Sequence, residues 1–312
     1  MGHEFVGEQI VYLAPKGSVT NPRTEKIAEP RFLGATKQDF ERQDELEALA
    51  AWVASPTNAF FARAQVNRIW FHLMGRGIVD PIDDFRATNP ASHPALLDAL
   101  TAEFVQSGFN LRHLIRLIMA SRAYQTASEP NDTNAGDELN YARAPLRRLT
   151  AEQMFDTLHQ VAGVPAEFAG FPAGTRAAEL PGARVQGRRS KRSQMMAPDL
   201  FLTMFGKPPR LLTCECERSP DTSMNQAFFM ISGPSVNELL TRSDNRLGAL
   251  LESGKANAEL VTELYWTALT RPPSAAELAK STTHLEQAKE RRAALEDVLW
   301  SLVNAKEFVL RR

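Results

Sequence analysis

Apolar residues recur at three- and four-residue intervals through most of this chain, and that period restricts it to a fold of packed amphipathic helices. The spacing predicts a short helix from Asp44 to Ala54, where Leu46, Leu49, Ala50 and Val53 share a face and Ser55-Pro56 ends the pattern. A second helix should begin near Asn58 and run through Ile69, Phe71 and Leu73 to the punctuation of Gly75 and Gly77. Ser92 is read as a cap and Pro94 as a first-turn residue for a helix bearing Leu96, Leu97, Leu100, Phe104 and Val105, which Gly108 ends. Leu111 to Ser121 is apolar on much of its surface, so this pair of helices is expected to form the core of the first half. Thr150-Ala-Glu-Gln153 is a capping-box pattern ahead of Met154, Phe155, Leu158 and Val161, and Gly163 closes that helix. Further helices are predicted from Met224 to Leu240, broken at Gly233-Pro234, from Asn257 to Leu269, from Ala275 to Arg292 behind Ser274, and through Leu295 to Phe308.

Two stretches break the period. Tyr12 to Gly34 carries Pro15, Asn21-Pro22 and Pro30 with little pattern, as suits an extended connector. Pro165 to Pro209 is rich in glycine and proline and contains the basic run Arg184 to Arg192, so a long irregular insertion is expected there. The organisation read from these features is a mainly α fold: a connector over 1–43 from an upstream domain, a first helical half over 44–164, an irregular insertion over 165–222, and C-terminal helices over 223–312 packing on the same core.

Composition narrows the function classes. With 36 basic and 37 acidic residues the net charge is -1, so no global field draws the chain to nucleic acid or anionic lipid. The basic run lacks the interleaved aromatics that stack bases, which argues against nucleic acid as a partner; it reads as a solvated or polyanion-facing loop, with an acidic polysaccharide as the binding alternative. No stretch is long and apolar enough for a membrane span, and Met1 to Phe5 carry neither a basic leader nor an apolar segment. No phosphate loop, nucleophile elbow or zinc-protease motif occurs.

Three groups of residues could carry chemistry. Cys214 and Cys216, one residue apart, could ligate a soft metal or form a strained disulfide, although buried thiols more often pack as small hydrophobes. Zinc would need further ligands, and His72, His93, His113 and His159 are scattered. Cys-x-x-Cys-His is absent, so the chain holds no covalent heme; noncovalent heme through His72 or His113 is weighed against a packed or capping role, which leads, and any other cofactor stays open. The second group, Arg63, Asn67, Arg68, Asp80, Asp83, Asp84 and Arg86, places both signs of charge on a helix and its following loop. It reads first as ion pairs pinning that loop, and alternatively as Asp83 and Asp84 acting as acid, base or cation ligands with Arg63, Asn67, Arg68 and Arg86 holding an anionic substrate. The third, Glu215, Glu217 and Arg218, could form a charged site beside the thiols or serve as ordinary scaffolding.

Several of these segments carry a resemblance. Asn58-Ala-Phe-Phe-Ala-Arg-Ala-Gln-Val-Asn-Arg-Ile-Trp-Phe-His-Leu-Met-Gly-Arg-Gly-Ile-Val-Asp-Pro81, Asp83-Asp-Phe-Arg-Ala-Thr-Asn-Pro90, Ser121-Arg-Ala-Tyr-Gln125, Phe205-Gly-Lys-Pro208 and Cys214-Glu-Cys-Glu-Arg218 together resemble the planctomycete domain of unknown function 1553. The likeness extends to Thr270-Arg-Pro-Pro273 and the closing Leu299 to Phe308. It implies the C-terminal region of a large surface or exported, periplasmic protein, with upstream partner domains that include a cytochrome c-like one, and it brings no established activity. The expectation is a noncatalytic scaffold or interaction module. The alternatives are a hydrolase or redox or metal-dependent enzyme, with its site between the Asp83 loop and Cys214 to Arg218, and a module that binds acidic polysaccharide.

Overall fold

The structure, a computed structural model, describes residues 17–28, 31–33, 44–58, 60–180, 197–208, 218 and 223–311. It is mainly α-helical, as the period requires, and divides into two compact units, Met1–Ala144 and Pro145–Arg312.

In the first unit, part of the stretch read as a connector forms a small antiparallel hairpin, β1 (Val19–Thr20) against β2 (Ile27–Ala28). Asn21 turns it, its Oδ1 accepting the backbone N–H groups of Arg23 and Thr24. Asp44 caps α1 (Glu45–Val53), and Trp52 stacks on Phe32 at 5.0 Å. The core is built from α2 (Phe61–Met74), α3 (Pro94–Gln106) and α4 (Leu111–Met119). Ala62, Val66, Trp70 and Met74 of α2 recur every four residues and meet Leu97, Leu100 and Phe104 of α3 and Leu114 and Ile118 of α4. Burying each of the larger side chains stabilises the unit by about 1.5–3 kcal/mol against leaving it in water. Gly75 ends α2 in the left-handed region at φ 88. Ser92 does not cap α3: His93 holds that position, and the Ser92 hydroxyl donates to the Ile78 carbonyl, stitching the loop before the helix instead.

In the second unit, Thr150 and Gln153 form the reciprocal capping box that opens α5 (Ala151–Ala162), and Gly163 closes it at φ 71. This helix, grouped above with the first half, packs within the second unit, because Met154, Phe155, Leu158 and Val161 find their apolar partners there. The described part of the supposed irregular insertion is also more ordered than its composition suggests. It holds a 3₁₀ turn at Ala177–Glu179 and α6 (Ala197–Met204), and Phe168, Phe201 and Leu202 enter the core. Aromatic rings supply the reason: Phe155 lies 5.4 Å from both Phe168 and Phe201, and Phe201 stacks on Phe205 at 4.3 Å.

The chain continues through α7 (Met224–Ser232), α8 (Pro234–Thr241), α9 (Arg246–Glu252), α10 (Asn257–Leu269), α11 (Ala275–Gln287), α12 (Arg291–Val303) and α13 (Lys306–Val309). Gly233 and Pro234 break the first pair as expected; a Cβ at Gly233 would lie 2.2 Å from the Phe229 carbonyl oxygen. The capped helix α9 had escaped the period because it is short, and the pattern read as one helix to Arg292 ends at Gln287. A two-residue pairing, β3 (Arg147–Arg148) with β4 (Leu310–Arg311), ties the two ends of the second unit together.

Candidate functional site

The most tightly built polar group of the first unit is the loop after α2. Asn67 is fully buried, and its amide makes three bonds: Nδ2 donates to the carbonyls of Val79 (2.8 Å) and Ile82 (2.9 Å), and Oδ1 accepts from Val79 N–H (2.9 Å). An amide that answers two acceptors and one donor clamps the backbone of residues 79–82 onto the helix. Gly77 makes room for that clamp, since a Cβ there would sit 2.2 Å from the Val79 oxygen and 3.2 Å from Asn67 Nδ2. Tyr141 closes the other side, its hydroxyl donating to the Gly77 carbonyl at 3.0 Å and its ring meeting Trp70 edge-on at 5.1 Å.

The charges of the loop are matched one by one. Arg68 donates through Nε (2.9 Å) and Nη2 (2.7 Å) to Asp83 Oδ1. Arg86 makes two parallel bonds of 2.6 Å to the two oxygens of Asp84, and Arg63 reaches Asp98 at 2.9 Å. The Arg86 guanidinium outweighs the effect of partial burial and holds the Asp84 carboxyl below its ordinary value. Asn89 donates to the Asp84 carbonyl at 2.9 Å, so the loop is closed by its own side chains. The arrangement is the pinned-loop reading: Asp83 and Asp84 are each engaged by an arginine, and Asn67 faces backbone.

The second unit holds a polar cluster that sequence reasoning had only touched at Arg218. Glu152, in the first turn of α5, is buried and receives two parallel bonds from Arg218, Nη1 to Oε2 at 2.9 Å and Nη2 to Oε1 at 3.0 Å. Burial pushes the Glu152 carboxyl up, but the Arg218 bonds and charge, with the Lys207 ammonium behind them, more than offset it and leave the group below its ordinary value. Lys207 itself is only 5% exposed and donates to the carbonyls of Ala177 (2.6 Å) and Leu180 (3.2 Å). Arg148 donates to Gln226 Oε1 at 2.7 Å, and Gln226 Nε2 donates to the Met204 carbonyl at 2.8 Å. The quoted segment Phe205-Gly-Lys-Pro208 thus contributes a buried cation, and Arg218 buttresses a helix N-terminus. Nothing in the spacing of Glu152 distinguished it from a first-turn acid favoured by the helix dipole; the signal was the pairing of a capping box with a lysine and an arginine more than fifty residues away.

Cys214, Cys216, Glu215, Glu217 and the basic run Arg184 to Arg192 lie outside the described residues. Among the described residues no group of three or more metal-ligating side chains converges. His113 bonds Glu103 at 2.7 Å, and His159 donates through Nδ1 to the Val164 carbonyl at 3.0 Å, its ring held toward the neutral form chiefly by burial. Asp83 belongs to the first unit and Arg218 to the second, and each has its carboxylate or guanidinium partner inside its own unit. No helix among the described residues is long and apolar enough to cross a membrane.

These features define a mainly α-helical protein of two compact units, each organised around a buried side chain that fastens an irregular segment to a helix. The family model described as protein of unknown function (DUF1553) matches residues 46–285, and the chain belongs to that family. No curated protein and no solved structure matches it.

Proposed function

We propose that the chain is a noncatalytic interaction module of a larger multidomain protein, exported or displayed at the cell surface, and that it is held to the upstream domains of that parent by the outer face of α7. The observation behind this reading is an apolar stripe: Met224, Phe228 and Ile231, at helical spacing, are 72%, 58% and 48% exposed, while Gln226 and Met230 face inward. Trp300 extends the stripe, its indole Nε1 donating to the Ile231 carbonyl at 3.0 Å and its ring still exposed. Soluble monomers rarely expose a continuous patch of this kind, and covering it would stabilise an assembly by about 1–2 kcal/mol per side chain at these exposures.

The pairing of Asp83, Asp84 and Arg218 within the fold favours the same reading, since a general acid, a base or an anion clamp must turn its polar atoms toward a substrate. The upstream partner, a cytochrome c-like domain among its candidates, and the exported setting rest on the family resemblance. Hydroxyl-radical footprinting of the isolated chain and of the full-length parent tests the proposal. Met224, Phe228 and Trp300 are expected to be oxidised in the isolated chain and protected in the parent. Equal oxidation in both would overturn it.

A further inference from the structure

The residues of α7, Met224-Asn-Gln-Ala-Phe-Phe-Met-Ile-Ser232, include no charged side chain. At 3.6 residues per turn Met224, Ala227, Phe228 and Ile231 project from one side of the helix; all four are exposed, and Phe228 stands at the midpoint. Trp300 borders the Ile231 end. The charges nearest to it along α12 are already bonded, Asp297 to His284 at 3.0 Å and Glu296 to Arg292 at 2.8 Å. A neutral face offers a charged partner nothing to recognise, and no like-charge repulsion keeps a second copy of it away.

The stripe is also self-complementary. A two-fold axis through Phe228 sets two copies of α7 antiparallel: Phe228 meets Phe228, Met224 of one copy meets Ile231 of the other, and the small Ala227 lets the helices approach closely. At their exposures Met224, Phe228, Ile231 and Trp300 leave about 400 Å² uncovered per copy, taking roughly 200 Å² for a large side chain fully in water. Pairing them covers about 800 Å² in total, and the polar residues around the stripe bring the contact toward the roughly 1,200 Å² at which specific interfaces begin. An interface of that size joins copies reversibly, with micromolar or weaker affinity, and does not lock an obligate dimer.

We propose that a second copy of this chain pairs with the first through the α7 stripe, in competition with the upstream domains of the parent. This pairing rests on the reading of the stripe as a docking face. It adds that covering from within the parent and pairing between copies exclude each other, so the chain alone dimerises while a parent with its stripe covered does not.

Sedimentation velocity of the isolated chain from about 1 to about 300 µM should show a concentration-dependent shift from monomer to dimer. Phe228→Asp, which sets two carboxylates on the axis, should weaken the dimer more than tenfold. The double variant M224S/I231S, which introduces no charge, should weaken it about tenfold, and melting curves confirm that both variants fold. A photoreactive benzoylphenylalanine at position 228 should cross-link to α7 of the second copy. A chain still monomeric at about 300 µM overturns the proposal, as does a dimer that neither variant weakens or whose cross-links fall outside α7. Footprinting at about 0.5 µM, where the isolated chain is monomeric, reads docking in the parent separately. A stripe protected in the parent beside an isolated chain that never dimerises removes the pairing alone; an unprotected stripe with the dimer intact removes the docking and leaves the pairing.

Discussion

Removing Arg218 while keeping Glu152 tests whether the second unit's polar cluster is structural. In Arg218→Met the methylenes of the stem are retained, but the buried carboxylate loses both of its parallel bonds, 2.9 and 3.0 Å in the native protein. Stripping one partner from a buried pair costs about 3–5 kcal/mol. Arg218 is partly exposed and the Lys207 charge still acts on Glu152, so the lower end applies, about 3 kcal/mol. For a unit of this size that is a fall in Tm of roughly 6–12 °C.

The pH dependence has a definite sign. In the native protein the Glu152 carboxyl lies below its ordinary 4.5, so its contribution is present above that value and is lost as the pH falls through the folded-state pKa. In the variant burial dominates and lifts the carboxyl above its unfolded value. The penalty is then full near neutrality and relieved on acidification, so the difference in Tm between native and variant should shrink from about pH 7 to about pH 4. Glu152→Gln added to Arg218→Met should recover part of the loss at neutral pH. Differential scanning fluorimetry across that range is the assay. A Tm loss independent of pH, or no loss, would refute the assignment of Glu152 and Arg218 as a buried ion pair.

Asn67→Ala leaves the Val79 N–H and the Val79 and Ile82 carbonyls without their partner and should cost about 3 kcal/mol in chemical denaturation. Gly77→Ala should cost about 2 kcal/mol or more, because the new methyl meets backbone oxygen; a neutral result at either site would show that the loop is not clamped as described. Arg271 bridges Glu277 and Glu307 and, as the largest cause, holds the Glu277 carboxyl down to about 2. Arg271→Ala should cost only about 1 kcal/mol, discounted for exposure, with a deficit that fades as the pH falls from the ordinary 4.5 toward that value. The Asp137 carboxylate accepts the backbone N–H groups of Leu139, Asn140 and Ala142, which hold it at about 2, so Asp137→Ala should speed amide exchange at those residues at pH 7. Unchanged exchange would remove the turn from the account.

Helix positions were legible wherever a cap, a four-residue apolar stripe and a terminating glycine coincided, as at Thr150 to Gly163. A long apolar stripe sufficed without the other two, as at Asn257–Leu269, which Thr270 ends, but a short helix with too little stripe was missed. The helix Arg246–Glu252 has two turns and a cap, too few residues to establish a period, and Ala197–Met204 lies at the end of a composition that argues for irregular chain. The division at Ala144 was hidden for a different reason. An apolar stripe says that a helix is buried and is silent about which other stripe buries it, so Met154 and Phe155 could be assigned to either half until their partners were known. The pinned loop was legible in kind, as charges of both signs beside a helix. The clamp at its centre was not, because Asn67 is a polar residue at a helical position whose partners are backbone atoms twelve and fifteen residues away.

A carboxylate that serves as a base must keep a proton affinity that its partners have not taken away. Asp84 has both oxygens engaged by one guanidinium, and Glu152 likewise, and each pairing holds the carboxyl below its ordinary value, which makes either a weaker proton acceptor than a free carboxylate. At the surface Phe228, 58% exposed on the outer face of α7, is an apolar side chain whose burial the described fold leaves unmade, and the proposed docking of α7 would supply that burial.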